Sequence, residues 1–404
     1  MKTRIPAACA ALAAALLLAV GAQAQIKKDA VKIGVLADMS SLYADLGGPG
    51  SVVAANMAVK DFGGKVNGKK IEVVSADHQN KPDVGASIAR QWFDRDGVDM
   101  ITDLTTSSVA LAVQEVAREK NKVLMITGAA SSDLTGKNCA PTSIHYAYDT
   151  TALANGTGAA VVKAGGKTWF FITADYAFGH ALQKDTAAVV TANGGKVLGS
   201  VNVPLNTADF SSYLLQAQAS KAQIIGLANA GGDTINSIKQ AAEFGIVKGG
   251  QKLAGLLLFV TDVHSLGLKT AQGLNLTESF YWDQDAKTRA WSKRFFAIAK
   301  KEPTMTQAGV YSAVMHYLQA VKATNSVNGP KVVAYLRGRP INDFMIRHGH
   351  LQADGSLVHD MYLYEVKKPS ESKDPWDLYN LVATIPGAQA FKRPRGNECP
   401  LVKG

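Results

Sequence analysis

The chain has few cysteines. Its 404 residues include only three, and Cys9 lies close to the N-terminus, which leaves Cys139 and Cys399 further along. An even pair is compatible with a disulfide in an oxidising compartment. Two free thiols are equally compatible, because a sequence gives no distance between two side chains. Cys139 and Cys399 are therefore a candidate disulfide, with both alternatives open.

Long apolar runs are absent after residue 24. The run at 7–20 follows Lys2 and Arg4 and precedes Ala22-Gln23-Ala24, which is the pattern of an export signal. It is shorter than the ~20 residues that a membrane-spanning helix needs. We predict that residues 1–24 are a signal peptide cleaved after Ala24, and that the mature protein is exported.

Motifs for catalysis, cofactors and nucleic acid are also missing. The formal net charge is +10, but the chain has no Lys/Arg block, so nucleic acid is not an expected partner. No serine lies in a G-x-S-x-G motif, and Gly165-Gly166-Lys167-Thr168 lacks the earlier glycine of a phosphate loop. His348-Gly349-His350 has no carboxylate or cysteine cluster beside it, which favours surface histidines. We predict neither an enzyme, a cofactor nor a metal site.

What the sequence does contain is one pattern twice. A strand, a loop with tyrosine and glycine, and a helix are followed by Gly63-Gly64-Lys65-Val66 in one copy and by Gly194-Gly195-Lys196-Val197 in the other. In both copies a helix, an apolar strand and a short polar loop come next. Two similar α/β halves indicate two lobes with a cleft between them.

Strands alternate with helices from residue 31 to about residue 280. Most strands are nearly continuous Val/Ile/Leu/Phe runs, which is typical of parallel sheets buried on both faces. The predicted strands are 31–37, 70–76, 99–104, 123–127, 168–173, 197–203, 222–228, 253–260 and 274–281. The fold class is therefore α/β, with two doubly wound Rossmann-like lobes.

The strand count also predicts how the lobes are assembled. We assign 25–146 plus 283–342 to lobe 1, 147–282 plus 343–380 to lobe 2, and 381–404 to an irregular C-terminal tail. Residues 343–366 are predicted as strands around an Asp354-Gly355 turn. The chain then crosses between the lobes three times, which forms a three-segment hinge suited to opening and closing.

Polar loops follow several predicted strands. Ligands of open parallel sheets bind beyond the carboxyl ends of strands, where helices begin. Loops 105–108 and 128–132 are small and rich in hydroxyls, so with free helix N–H groups they suit an anion such as a carboxylate. Ordinary capping of their own helices is the alternative. Tyr43, Tyr176 and Phe178 either form an apolar wall of the cleft or pack against their own lobes.

The order of these features resembles a known family. The export signal, Met39-Ser40-Ser41 after the first strand, and the segment 125–131 (MITGAAS) are similar to periplasmic solute-binding proteins of ABC importers, of the leucine/isoleucine/valine-binding type. Segments 75–84, 89–94 and 306–312 resemble a branch in which some members take up aromatic carboxylates. The resemblance extends to about Val366 and implies the type I periplasmic binding protein fold and a location in the periplasm.

The resemblance also implies residue roles. It implies that the ligand carboxylate is held at Thr106 and Ser107 and by the loop 129–131, with Phe178 lining the cleft where the family has a tyrosine. The predicted ligand-binding residues are Tyr43, Thr106, Ser107, Ala129, Ala130, Ser131, Tyr176, Phe178, Asn229 and Asp262.

Two positions differ from the amino-acid binders. Ala230 matches a second-lobe tyrosine of the family, and the acidic partner of an amino group falls near Val260, with Asp262 just beyond. A buried ammonium without partners costs several kcal/mol. We therefore predict a monomeric carrier that captures a small carboxylate, such as a benzoate or cinnamate derivative, for an inner-membrane ABC permease. The alternatives are a branched-chain or other hydrophobic amino acid as the ligand, or a ligand sensor on the same fold.

Overall fold

The structure is a computed structural model that describes residues 26, 28–393, 396 and 398–402. The predicted signal peptide lies outside these residues. Strands and helices alternate along the described chain and form two parallel sheets with helices around them. The predicted α/β class is confirmed.

The first sheet has six strands in the order β2-β3-β1-β4-β5-β6, and all neighbours are parallel except β2 and β3. Alternate residues of its central strands enter two different cores: Met100 faces one and Ile101 the other. Both faces are therefore buried, which explains the continuous apolar runs. The strands are β1 (Ala30–Ala37), β2 (Lys65–Val66), β3 (Lys69–Asp77), β4 (Met100–Asp103), β5 (Val123–Ile126) and β6 (Ser143–His145).

The second sheet is fully parallel and has the order β10-β9-β7-β8. Here Phe171 and Ile172 face opposite cores in the same way. Its strands are β7 (Thr168–Ala174), β8 (Lys196–Val203), β9 (Ile224–Ala228) and β10 (Lys252–Gly255).

The remaining strands are β11 (Asn275–Glu278), β12 (His350–Leu351), β13 (Leu357–Val358), β14 (Met361–Val366) and β15 (Tyr379–Ile385). Strands β11, β14 and β15 form an antiparallel sheet, and β12 pairs with β13. The predicted strand 253–260 is too long, because β10 ends at Gly255 and a helix starts at Val260.

The helices pack on the faces of the sheets. They are α1 (Gly48–Phe62), α2 (Pro82–Gln91), α3 (Ser107–Glu119), α4 (Thr150–Leu153), α5 (Ala159–Lys163), α6 (Ala177–Ala192), α7 (Ser211–Ala219), α8 (Gly231–Glu243), α9 (Val260–Leu266), α10 (Leu268–Ala271), α11 (Ala286–Ala299), α12 (Met305–Thr324), α13 (Gly329–Arg337) and α14 (Gly387–Ala390). Within the described part of the chain, none of them is long and apolar enough to span a membrane.

The chain passes back and forth between the two sheets. Helices α11 and α12 pack on α1, and α13 contacts β5, so the chain returns to the first sheet after β11. We call the first sheet with its covering helices the first lobe, and the second sheet with β11, β14 and β15 the second lobe. The predicted boundaries at residues 146, 282 and 343 stay a prediction.

Two segments near the C-terminus differ from expectation. The β12–β13 turn lies beside β6 of the first lobe, because the His145 N–H donates to the Gly355 carbonyl at 2.9 Å, although residues 343–380 were assigned to lobe 2. Residues 381–385 belong to β15 and are not irregular. Cys139 and Cys399 form a disulfide with a Cα–Cα distance of 5.6 Å. This bond ties the C-terminal tail to the loop between β5 and β6.

Candidate functional site

A narrow cavity lies between the two lobes. Each of its lining residues follows the carboxyl end of a strand in one of the parallel sheets, which is the edge where such sheets bind ligands. The first lobe and the segment after β6 contribute Tyr43, Leu46, Thr105, Ser107, Gly128, Ala130 and Tyr148, and the second lobe contributes Tyr176, Phe178, Ala230 and Leu257.

Five predicted site residues line this cavity: Tyr43, Ser107, Ala130, Tyr176 and Phe178. They follow β1, β4, β5 and β7: Ser107 and Phe178 lie in the first turns of α3 and α6, and the other three lie in loops. The structure brings them together from both lobes, and their role in ligand binding stays a prediction.

The structure places three predicted first-lobe residues outside the lining. The Thr106 hydroxyl donates to the Asn80 side chain, so it points toward β3. The Ser131 hydroxyl accepts the Asp133 N–H at 3.4 Å and caps a short 3₁₀ turn. The Ala129 carbonyl is bonded to His145 Nε2 at 2.8 Å. Ordinary local and tertiary hydrogen bonds account for all three.

The two polar predictions in the second lobe are also outside the lining. Asn229 bonds the Ser237 and Thr234 hydroxyls at 3.0 and 2.7 Å, within its own lobe. Asp262 accepts the Phe259 N–H at 3.0 Å and caps α9. Burial raises the pKa of the Asp262 carboxyl to about 7. Neither side chain is directed to the cavity.

The prediction missed several lining residues. Three of them lie in the predicted polar loops, one or two positions away from a predicted ligand-binding residue: Thr105, Gly128 and Ala230. Leu257 was missed because it lies within the predicted strand 253–260, whereas the observed strand β10 ends at Gly255. Tyr148 follows the short strand β6, which was not predicted, and its hydroxyl donates to the Gly128 carbonyl at 2.6 Å.

Three helices begin at the cavity, α3, α6 and α8, because Ser107, Phe178 and Ala230 line it. Helix α1 begins nearby, where the buried Asp103 carboxyl lies against Gly47. None of them has a hydrogen bond from a side chain at its N-cap. The first N–H groups of a helix lack intrahelical acceptors and carry the positive end of the helix dipole. Helix N-termini of this kind favour an anion.

Ser107 adds a side-chain donor. Its Oγ accepts the N–H groups of Ala130 and Ser131 at 3.3 and 3.2 Å. A hydroxyl oxygen has two acceptor lone pairs and one hydrogen. Because the lone pairs are occupied, the hydroxyl hydrogen is available for an acceptor in the cavity that Ser107 lines.

The two lobes touch across the cavity. The hydroxyls of Tyr43 and Tyr176 lie 2.7 Å apart and share a hydrogen bond. Burial raises the pKa of Tyr43 well above its ordinary value, so both groups are neutral phenols at neutral pH. Gly231 lies close to Leu42, since a Cβ at position 231 would be 2.7 Å from the Leu42 carbonyl oxygen. The structure is therefore a closed form.

No Asp or Glu is among the cavity-lining residues that the structure describes. The nearby Asp233 accepts the N–H groups of Asn206 and Thr207 at 3.1 and 3.0 Å, and burial raises its pKa to about 6. An ammonium group in the cavity would thus have no carboxylate among the described lining residues. The buried Asp103 carboxyl lies behind Gly128, and burial raises its pKa to about 7.

A larger hollow of about 440 Å³ lies at the opposite end of the second sheet, near the starts of β9, β10 and β11. Among its described lining residues only Lys252 is charged. It lies at the amino ends of the strands, away from the usual ligand edge. The cavity between the lobes is therefore the better candidate site.

A family model described as "Periplasmic binding protein" matches residues 30–373. The chain belongs to the periplasmic binding protein family. A crystal structure of a periplasmic binding protein from Burkholderia mallei is similar, with 60% identity, a TM-score of 0.91, and 93% of this chain and 100% of that chain covered. The resemblance predicted from the sequence is confirmed, and so is the type I fold of ABC transporter binding proteins.

Two further structures have named ligand classes. A branched chain amino acid ABC transporter periplasmic ligand-binding protein from Burkholderia xenovorans LB400 is 46% identical, with a TM-score of 0.82 and coverage of 92% and 99%. A solute-binding protein from R. palustris in complex with benzoate is 22% identical, with a TM-score of 0.78 and coverage of 89% and 97%. At that identity the second likeness shows the fold alone.

Proposed function

We propose that this periplasmic binding protein captures a small carboxylate with an apolar or aromatic body, such as a benzoate or cinnamate derivative, and delivers it to an inner-membrane ABC permease. The observation that supports an anion is that three helices, α3, α6 and α8, begin at one cavity without a side-chain hydrogen bond at the N-cap. Tyr148, Tyr176, Phe178 and Leu257 supply the apolar surface for a ring.

The expected contacts are strong enough to bind such a ligand. Two or three hydrogen bonds to a charged group contribute about 1.5–3 kcal/mol each. One buried ring adds about 2 kcal/mol. The sum is on the order of −8 kcal/mol, which corresponds to micromolar affinity. The ligand contacts both lobes only in the closed form, so its preference for that form drives closure.

An amino acid ligand is the second candidate. The 46% identical protein from B. xenovorans is named for branched chain amino acids. Against it stands the absence of a carboxylate among the described lining residues, since a buried ammonium without a partner costs several kcal/mol. An acid without an amino group avoids this cost. The carrier role, the periplasmic location and the monomeric state are part of the same proposal.

Calorimetry and thermal-shift measurements test the proposal. The ligands to compare are benzoate, 4-hydroxybenzoate, cinnamate, leucine and benzamide, which is the neutral isostere of benzoate. We expect aromatic acids to raise the melting temperature and benzamide to have little effect. Stabilisation by leucine and by no aromatic acid would reverse the choice of ligand. Stabilisation by benzamide as large as that by benzoate would show that the site does not select an anion.

A matched pair of variants tests the seat of the carboxylate. Ser107→Ala removes the donor at the cavity, whereas Ser108→Ala changes the next residue of α3, which does not line it. We expect Ser107→Ala to lower the affinity for the best acid about 10-fold, equal to one hydrogen bond to a charged group. Ser108→Ala should leave the affinity unchanged. Equal effects of the two variants would contradict the assignment.

A further inference from the structure

A buried histidine lies directly behind the cavity. His78 follows β3, is fully buried, and its main-chain N–H donates to the Ala37 carbonyl at 2.9 Å. Its ring Nδ1 accepts the Asn80 N–H at 3.1 Å. A nitrogen that accepts an N–H bond carries no proton, so the neutral ring holds its proton on Nε2.

His78 Nε2 is 3.3 Å from the Thr105 hydroxyl oxygen. With the proton on Nε2, the histidine is the donor and Thr105 Oγ1 is the acceptor. The same oxygen accepts the Asp38 N–H at 3.1 Å. Both lone pairs of Thr105 are therefore occupied, and its hydrogen is left for an acceptor in the cavity that Thr105 lines.

The surroundings fix this arrangement. Gln79 and Asn80 have left-handed backbones, with φ of 52° and 56°, which turn the Asn80 N–H back to the ring. The Asn80 side chain donates to the Asp38 carboxylate at 2.8 Å, and that carboxylate accepts the Tyr43 N–H at 2.8 Å. The network thus joins the ends of β1, β3 and β4. Burial lowers the pKa of His78 to about 4, so the ring is neutral at neutral pH.

We propose that His78 is a positioning residue: it acts through Thr105 and keeps that hydroxyl oriented as a donor to the anionic group of the ligand. This inference rests on the proposed function, because it needs an anion in the cavity. It assigns part of the preference for a carboxylate over a neutral isostere to a residue that does not line the cavity. A change at His78 should therefore alter anion selectivity and leave the apolar contacts as they are.

A double-mutant cycle on the mature protein tests this proposal. His78→Leu should lower the affinity for benzoate about fivefold to twentyfold and the affinity for benzamide by less than twofold. His78→Gln keeps an N–H donor and should restore part of the loss. Against a Thr105→Val background, His78→Leu should have little further effect, because the hydroxyl it orients is gone. Equal losses in both backgrounds would overturn the proposal.

Two further measurements separate the possible failures. His180→Leu is the control, because His180 is exposed, pairs with Asp175 at 3.0 Å and should leave affinity unchanged. If the wild-type protein bound neither benzoate nor leucine, the proposed function itself would be wrong, and the positioning role of His78 would be wrong with it. The tautomer can be read without ligand from ¹⁵N shifts of the His78 ring. A proton on Nδ1 would refute the inference even if carboxylates bind.

Discussion

The hydrogen bond between the Tyr43 and Tyr176 hydroxyls predicts that removing the Tyr176 hydroxyl alone weakens ligand binding more than removing both hydroxyls. The two groups bond each other across the cavity, one from each lobe, at 2.7 Å. Tyr43 is 1% exposed, whereas Tyr176 is half-buried. In an open form both hydroxyls would reach water, so this bond contributes to closure and hence to ligand affinity.

The magnitude depends on which hydroxyl is removed. Tyr176→Phe leaves the Tyr43 hydroxyl buried without a partner, which costs about 1–3 kcal/mol, or a loss of affinity of about 5-fold to 150-fold. Tyr43→Phe leaves the Tyr176 hydroxyl without its partner, but Tyr176 is only half-buried, so we expect a smaller loss of about 2-fold to 12-fold. The double variant replaces both partners by apolar rings and is expected to bind better than Tyr176→Phe alone.

Isothermal titration with the best acid, at one pH and salt concentration, gives the three affinities. Small-angle scattering with and without ligand shows whether each variant still closes. If the double variant were the weakest binder, the hydroxyls would be bonding the ligand and not each other, and the reasoning would be refuted. Equal affinities for all four proteins would show that the pair does not contribute to closure.

Three further predictions concern closure, stability and pH. Gly231→Ala should weaken ligand binding whereas Gly165→Ala should not, because both glycines have positive φ but only position 231 is pressed against the opposite lobe; equal affinities in titration would contradict this. Cys139→Ser, which breaks the bond to Cys399, should lower the free energy of unfolding in urea by about 2–5 kcal/mol, and no change would argue against the disulfide in solution. Burial raises the pKa of Asp262 from 3.8 to about 7, so between these values the folded chain keeps a proton that the unfolded chain releases, and stability falls as the pH rises. Asp262→Asn should make that fall smaller in denaturation curves from pH 4 to pH 7, and an unaltered slope would contradict the assignment.

Much of the fold could be predicted because burial on both faces leaves a strong trace in a sequence. Strands such as β1 and β7 were found within one residue of their observed ends. Strands β2 and β6 have only two or three residues, and β15 is mostly exposed, so none has a long apolar run. The extension of β10 to residue 260 was wrong because apolar residues of a loop and of α9 continue the strand's composition.

The site was predictable at the level of loops and less so at the level of side chains. Segments that follow the strands of one parallel sheet meet at one edge of that sheet, which predicted that Ser107 and Ala130 lie close together, and both line the cavity. The direction of a hydroxyl depends on partners distant in sequence. Thr106 is turned away by Asn80, 26 residues earlier, and no local pattern contains that information. Thr105 and Thr106 are therefore indistinguishable from the sequence alone.

The close approach of Gly231 to Leu42 has a consequence for discrimination by size. With backbone against backbone at the rim, the lobes cannot approach each other further, and only a narrow cavity is left between them. A ligand too large for that cavity would prevent the two lobes from closing completely. A permease that recognises only the fully closed form would then not accept this complex. The contact at the rim would thus exclude oversized ligands after they have bound.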